Sequence, residues 1–168
     1  MNVHQKIVKV QFLLAIMLMG ESTAVFASNY TVQADFLYKF AQYVNWPRKQ
    51  KKLNFCVLGQ NHFGNILKNR IKNKKINEKT LHFTHINSVS SLKSCHILYL
   101  SKNQKKNIAA VVKSRGILTV SEIKGFTKRG GMIYFFTKNK RVKFTINQSA
   151  ALKAGIKIRS QLLKLQRK

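Results

Sequence analysis

The chain has 168 residues, of which 32 are lysine or arginine and only 4 are aspartate or glutamate, so its formal net charge is +28. A hydrophobic fraction of 45% is typical of a folded domain rather than a solvated polybasic tail, and the length predicts one domain. The scarcity of carboxylates argues against paired-acid hydrolysis and oxygen-ligated metal sites. We therefore expect neither enzymatic activity nor a cofactor. The charge predicts attraction to anionic partners or surfaces without specifying which.

The first 27 residues have the pattern of a secretory signal peptide. Two lysines precede an apolar run over Val10–Gly20, and Val25 and Ala27 supply small residues before a cleavage site. The apolar run is shorter than the roughly 20 residues of a membrane-spanning helix, although an uncleaved anchor is the alternative. We predict cleavage after Ala27, export, and a mature domain of residues 28–168.

Cys56 and Cys95 are the only cysteines. In the oxidising compartment that export implies, they would form a single disulfide, worth roughly 4 kcal/mol in the chain-entropy model. Two buried thiols that never meet are the alternative.

The mature chain begins with an amphipathic pattern that predicts a helix over Thr31–Trp46, ended by Pro47. Strand and helix patterns then alternate. Strands are predicted at Leu53–Gly59, Leu81–Ile86, Cys95–Ser101 and Ile117–Glu122, and helices at Asn61–Ile71 and Gln104–Ser114. Such alternation predicts a parallel sheet with helices on its faces.

The last part of the chain predicts antiparallel structure. Strands at Met132–Thr137 and Arg141–Asn147 are separated by three residues, a gap suited to a hairpin. Short helices at Gln148–Ala154 and Ser160–Leu165 flank an alternating segment, residues 156–158. The predicted fold class is α/β, with a largely parallel sheet, an antiparallel C-terminal extension and helices on both faces.

The histidines do not predict a metal site. His82 and His85 are three residues apart on a predicted strand, which directs their side chains to opposite faces. A zinc site needs three or four ligands, and only the neighbouring Cys95 and His96 offer two.

Two basic segments, Lys68–Lys79 and Lys138–Arg141, are candidates for gripping phosphates. The aromatic residues fall on predicted core faces instead of interleaving with the lysines as a base-stacking surface requires. We therefore predict no specific nucleic-acid partner.

Several motifs occur in a set order: FLYKFAQYVNWP at Phe36–Pro47, FCVLG at Phe55–Gly59, then CHILYLS, ILTVSE, GFTKRGGMIYFF, RVKFTIN, AALKAGIKI and SQLLKL. In this order they resemble the YfiR family of small exported regulators, over about residues 31–165. The resemblance implies a Rossmann-like single domain in the periplasm.

The resemblance also implies a function. The protein would repress a membrane-bound diguanylate cyclase by binding its sensor region, and so modulate cyclic di-GMP signalling and biofilm formation. An outer-membrane, peptidoglycan-associated lipoprotein could titrate it away, and a homodimer is a further expectation. Cys56 and Cys95 fall in the motifs that carry the family's disulfide, which favours their pairing; a second cysteine pair of some relatives is absent here.

No catalytic residues come with the resemblance. By residue type, the candidate contacts for a partner or ligand are Asn45, Trp46, Pro47, Lys157, Arg159 and Ser160. For Trp46 the favoured alternative is an aromatic that caps the core at a helix end. Lys157 and Arg159 share one side of an alternating segment, where they either bind a carboxylate or phosphate or are simply solvated. The alternative function is a periplasmic module that binds a small anionic ligand or an envelope polyanion.

Overall fold

The structure is a computed structural model that describes residues 22–46 and 51–166. Most of the predicted signal peptide and the candidate Pro47 lie outside these residues. The helices are α1 Ser22–Gln42, α2 Ile66–Ile71, α3 Ile108–Val112, α4 Gln148–Lys153 and α5 Ser160–Leu165. The strands are β1 Val44–Asn45, β2 Lys52–Leu58, β3 Lys75–Ile76, β4 Lys79–Ile86, β5 Ile97–Leu100, β6 Leu118–Ser121, β7 Ile133–Lys138, β8 Arg141–Ile146 and β9 Lys157–Ile158. Short 3-10 helices span Val89–Ser94, Lys102–Asn107 and Thr127–Arg129.

Seven strands form one mixed sheet in the order β3-β4-β2-β5-β6-β7-β8. The five inner strands, from β4 to β7, are parallel, and β3 and β8 pair antiparallel at the two edges. The α/β class and the antiparallel C-terminal extension are confirmed, whereas the antiparallel edge at β3 was not predicted. Numbered along the chain, the parallel strands lie in the doubly wound order 2-1-3-4-5, which differs from the Rossmann order 3-2-1-4-5-6.

The sheet separates two apolar layers because successive side chains of a strand point to opposite faces. On β2, Leu53, Phe55 and Val57 face a core built with α1, α2, α4 and α5. Cys56 and Leu58 face a smaller core built with α3 and the 3-10 helices. Helices therefore cover both faces, as predicted.

The first helix ends earlier than the sequence predicted. It stops at Gln42, because Val44 and Asn45 pair antiparallel with Ile158 and Lys157 in a separate two-stranded sheet. The predicted Thr31–Trp46 helix is therefore wrong at its end, where Val44 and Asn45 form a strand and Trp46 follows that strand. At its other end α1 begins at Ser22, before the predicted cleavage site.

Two further helices are shorter than predicted. The helix expected from Asn61 begins only at Ile66, because the Asn61 side chain accepts from the Phe63 N–H and donates to the Gly64 carbonyl, which holds a turn instead. The helix expected over Gln104–Ser114 is α-helical only in α3 and starts with 3-10 turns.

Two tight turns build the edges of the sheet. Asn139 and Lys140 both have positive φ, 52° and 59°, in the two-residue loop between β7 and β8. Asn77 and Glu78 have φ of 47° and 62° between β3 and β4. Positive φ at both central residues is the geometry of a type I′ hairpin turn, so the predicted C-terminal hairpin is confirmed.

None of the helices within residues 22–46 and 51–166 is both long and apolar enough to cross a membrane.

Candidate functional site

The place where ligands usually bind in a doubly wound sheet is closed in this protein. That place is the crevice at the carboxyl ends of the strands where the order reverses, here β2 and β5. Ser101 Oγ donates to the Gln60 carbonyl at 2.6 Å, and Asn103 Oδ1 accepts from the Gln60 N–H at 3.5 Å. Gly59 has φ of +92°, and a Cβ added there would lie 2.4 Å from Gln104 Cγ. The chain's own polar side chains therefore occupy the crevice.

A nearly buried carboxylate lies at the end of β6, beside that crevice. The Glu122 side chain is 10% exposed, accepts from the Tyr30 hydroxyl at 3.0 Å and pairs with the Lys102 ammonium at 3.3 Å. The Tyr30 ring stacks on His62, with ring centroids 5.1 Å apart. These contacts attach α1, through Tyr30, to the strand ends, a structural role that residue spacing does not reveal.

Burial and the negative charge of Glu122 raise the pKa of both Tyr30 and Tyr99 above the ordinary value of 10.0. The Tyr99 side chain is fully buried, and its hydroxyl has no hydrogen-bond partner within the described residues. Both phenols therefore stay protonated well into the alkaline range.

Three of the six predicted contact residues come together on the β1–β9 ribbon. Asn45 lies directly across from Lys157, and Arg159 Nε donates to Asn45 Oδ1 at 3.2 Å. All three are exposed, whereas the alternate residues Val44 and Ile158 are buried. The ribbon thus presents one polar, basic surface whose strands are separated by more than a hundred residues in sequence.

The other predicted contacts differ in their placement. Ser160 is exposed at the start of α5, next to Arg159. Trp46 is half-buried, packs against the larger core and meets the His96 ring edge-on at 6.4 Å, and its indole N–H has no partner in the described part of the chain. Trp46 therefore packs as a core-capping side chain, although at the end of a strand and not of a helix. Pro47 is not among the described residues.

Cys56 and Cys95 are joined by a disulfide, with Cα atoms 5.8 Å apart. Cys56 lies on β2, and Cys95 precedes β5, the parallel neighbour of β2. Both residues are buried in the smaller core. Their pairing excludes either sulfur as a nucleophile or metal ligand while the bond is intact.

Two basic cavities were not predicted from the sequence. The larger, which we call the basic groove, has a volume of about 640 Å³ and is lined by Lys51, Lys52, Asn54, Thr80, His82, Phe83, Thr84, Lys93, Ser94 and His96. The smaller, of about 370 Å³, includes Lys113, Arg115 and Lys153 in its lining. The sequence signal for the groove was the set of polar residues at every second position of β4, Thr80, His82 and Thr84, because such a set indicates a polar strand face.

The described residues contain no cluster of three or more histidine, cysteine, aspartate or glutamate side chains able to hold a metal ion. The described residues thus form a small α/β domain with an internal disulfide. Its ribbon and its two cavities present basic side chains. A family model described as YfiR/HmsC-like matches residues 30–167, and the chain belongs to that family. A comparison with curated proteins found no match.

Proposed function

We propose that this protein is a periplasmic regulator that represses a membrane-bound diguanylate cyclase by binding its sensor region. Membership of the YfiR/HmsC-like family over residues 30–167 is the observation that carries the proposal. The action is stoichiometric, not catalytic: the protein binds one conformation of the sensor region and shifts the cyclase toward its inactive state.

The covalent structure supports the proposed location. Disulfides persist in oxidising compartments such as the bacterial periplasm, and Cys56 and Cys95 are paired. We propose that a signal peptide is removed after Ala27, so that the mature chain keeps Tyr30 and its bond to Glu122. Mass spectrometry of the exported protein tests the cleavage site and the disulfide together.

The β1–β9 ribbon is the contact surface that we propose for the sensor region. Its exposed side chains, Asn45, Lys157 and Arg159, are held in a fixed relative position by backbone pairing and by the bond from Arg159 to Asn45. Arginine is enriched among the residues that dominate protein interfaces, and the positive charge favours an acidic partner surface.

Deletion of the gene should raise intracellular cyclic di-GMP, and the purified protein should co-elute with the periplasmic domain of its cyclase. A double reversal of charge, Lys157→Glu with Arg159→Glu, should abolish both co-elution and repression. Lys105→Glu with Lys106→Glu is the matched control, because both lysines are exposed and the change in charge is the same. Unchanged cyclic di-GMP on deletion, together with the absence of a complex, would refute the proposal.

Two further partners belong to the proposal. A peptidoglycan-associated lipoprotein of the outer membrane would compete with the cyclase for binding to the protein. A homodimer of the protein would present two ribbons to the cyclase. Adding the lipoprotein's periplasmic domain to the preformed complex should release the sensor domain, and light scattering of the exported protein should give twice the mass of one chain.

A further inference from the structure

We propose that the basic groove is a binding site for a small polyanion, a solute that carries two or more phosphate or carboxylate groups. This inference goes beyond the proposed function, because the groove shares no residue with the β1–β9 ribbon, although its His96 meets Trp46, the residue that follows β1. It rests on the arrangement of the groove's side chains, its size and its charge.

The floor of the groove is one face of the sheet. The parallel register of β2 and β4 places Lys52 beside Thr80 and Asn54 beside His82. Thr84 Oγ1 donates to Asn54 Oδ1 at 2.9 Å, and Thr80 Oγ1 and His82 Nε2 are 3.2 Å apart. The floor of the groove is therefore polar, whereas the neighbouring part of the same sheet face is apolar and is covered by the smaller core.

The wall of the groove is the end of the 3-10 helix Val89–Ser94, which contributes Lys93 and Ser94. Asn54 Nδ2 donates to the Ser94 carbonyl at 3.1 Å and so fixes the wall against the floor. His96, only 5% exposed, closes one end of the groove, and its Nδ1 accepts from the Asn54 N–H at 3.1 Å. Asn54 thus holds wall, floor and end in position, which makes the cavity a built feature of the fold.

The charge of the groove is uncompensated. Three lysines, Lys51, Lys52 and Lys93, are among its lining residues, and no aspartate or glutamate is. The carboxylates of the described residues are engaged elsewhere: Asp35 with Arg70, Glu78 with Lys75 and Glu122 with Lys102. Several lysines around one cavity without a counter-charge favour an anion of charge two or more.

The size of the groove limits the ligand. About 640 Å³ lies within the range of small-molecule sites, about 300–1,000 Å³. Threonine, serine and histidine side chains beside the lysines offer hydrogen bonds to hydroxyl groups of the same ligand. An ammonium group binds phosphate and carboxylate alike. The side chains of the groove therefore indicate a small polyanion, and the binding experiment identifies its acid group.

The experiment measures binding of two probes, inorganic pyrophosphate and citrate, to the exported, oxidised protein by calorimetry at low and at physiological salt. We expect one-to-one saturable binding of at least one probe, and the stronger probe identifies the acid group. Lys52→Ala with Lys93→Ala should weaken that binding about tenfold or more. Both lysines are exposed, so the variant should keep the melting temperature of the unmodified protein.

The second cavity supplies the matched control. Lys113→Ala with Lys153→Ala removes the same charge from exposed positions there and should change the affinity less than about twofold. Equal weakening in both variants would mean diffuse attraction to a basic protein and would overturn the proposal. Absence of saturable binding of either probe at low salt would overturn it too. The proposal would also be overturned if Lys52→Ala with Lys93→Ala lost binding to the cyclase sensor domain but kept binding of the probes, because that result would assign the groove to a protein partner. Repression of the cyclase is a separate readout, so failure here leaves the proposed function intact.

Discussion

Replacing both cysteines, Cys56→Ala with Cys95→Ala, should lower the free energy of unfolding by about 4 kcal/mol. The two residues are separated by 39 positions in the chain. In the chain-entropy relation, a crosslink that closes a loop of this length removes about 13 cal/mol/K from the unfolded state, or about 4 kcal/mol at 25 °C. That loss is a large part of the 5–15 kcal/mol by which domains are typically stable.

Urea denaturation followed by circular dichroism measures this effect. Reduced, unmodified protein is the control for the small cavities left by the two sulfur atoms, because it lacks the crosslink but keeps both side chains. The reduced protein and the variant should unfold at similar urea concentrations, and reductant should leave the variant unchanged. A loss of less than about 1 kcal/mol between the oxidised, unmodified protein and the variant would refute the reasoning. It would mean that residual structure in the segments of β2 and β5 already restrains the unfolded chain without the bond.

Four other changes test other parts of the structure. Phe40 is fully buried among three aromatic rings, so Phe40→Ala should cost about 3–5 kcal/mol in urea denaturation and Phe40→Leu clearly less; equal costs would contradict the packing. Gly59→Ala should destabilise by about 1–3 kcal/mol because of its positive φ and the close Gln104 side chain, and adding Gln104→Ala should recover part of the loss but not all. Lys140→Gly should stabilise by up to about 1 kcal/mol, because relief of the positive φ in the hairpin turn, about 1–2 kcal/mol, exceeds the added entropic cost of glycine, about 0.5–1 kcal/mol; a lower melting temperature would contradict that turn. The raised pKa of Tyr99 means that its contribution to stability is intact below about pH 10 and is lost above it by up to about 1.4 kcal/mol per pH unit; because the pKa of Tyr30 is raised too, Tyr99→Phe should reduce the slope without abolishing it, and parallel slopes would contradict the assignment.

The buried strands were predictable from the sequence because their signal is local. The cores of β2 and β5 are apolar runs that end at a glycine or a serine, β6 is a short run with β-branched residues, and each strand lies within the predicted bounds to within a residue or two. The C-terminal hairpin was predictable for the same reason, since its strands flank a short polar gap.

The features that the sequence did not predict depend on pairing between distant segments. The local sequence predicts that Val44 and Asn45 end a helix. Only their pairing with Ile158 and Lys157 shows that they form a strand. The basic groove has the same origin. The alternation in β4 shows a polar face, but only the register with β2 and the position of Lys93 show that lysines lie around that face.

Function was predictable only at the level of the family. The ordered motifs from Phe36 to Leu165 carry the resemblance, and the family match over residues 30–167 confirms it. Of the predicted contact residues, Asn45, Lys157 and Arg159 do share one surface, but residue type could not show that Trp46 packs inward. Side-chain direction at that corner is set by the core beneath it, not by the local sequence.

The edges of the large sheet bear on how this protein avoids aggregating. One edge consists of β3, only two residues long, and of residues 81–86 of β4, which β3 does not cover; the other edge is β8, which begins at Arg141 and carries Lys143. At the end of β8 the Ile146 N–H is already bonded to Gln166 Oε1 at 2.9 Å. This cationic edge, with its last N–H already bonded, is a poor template for adding a strand from another copy. The high content of lysine, which fixes no partner, thus helps to keep the β8 edge from pairing with a strand of another copy.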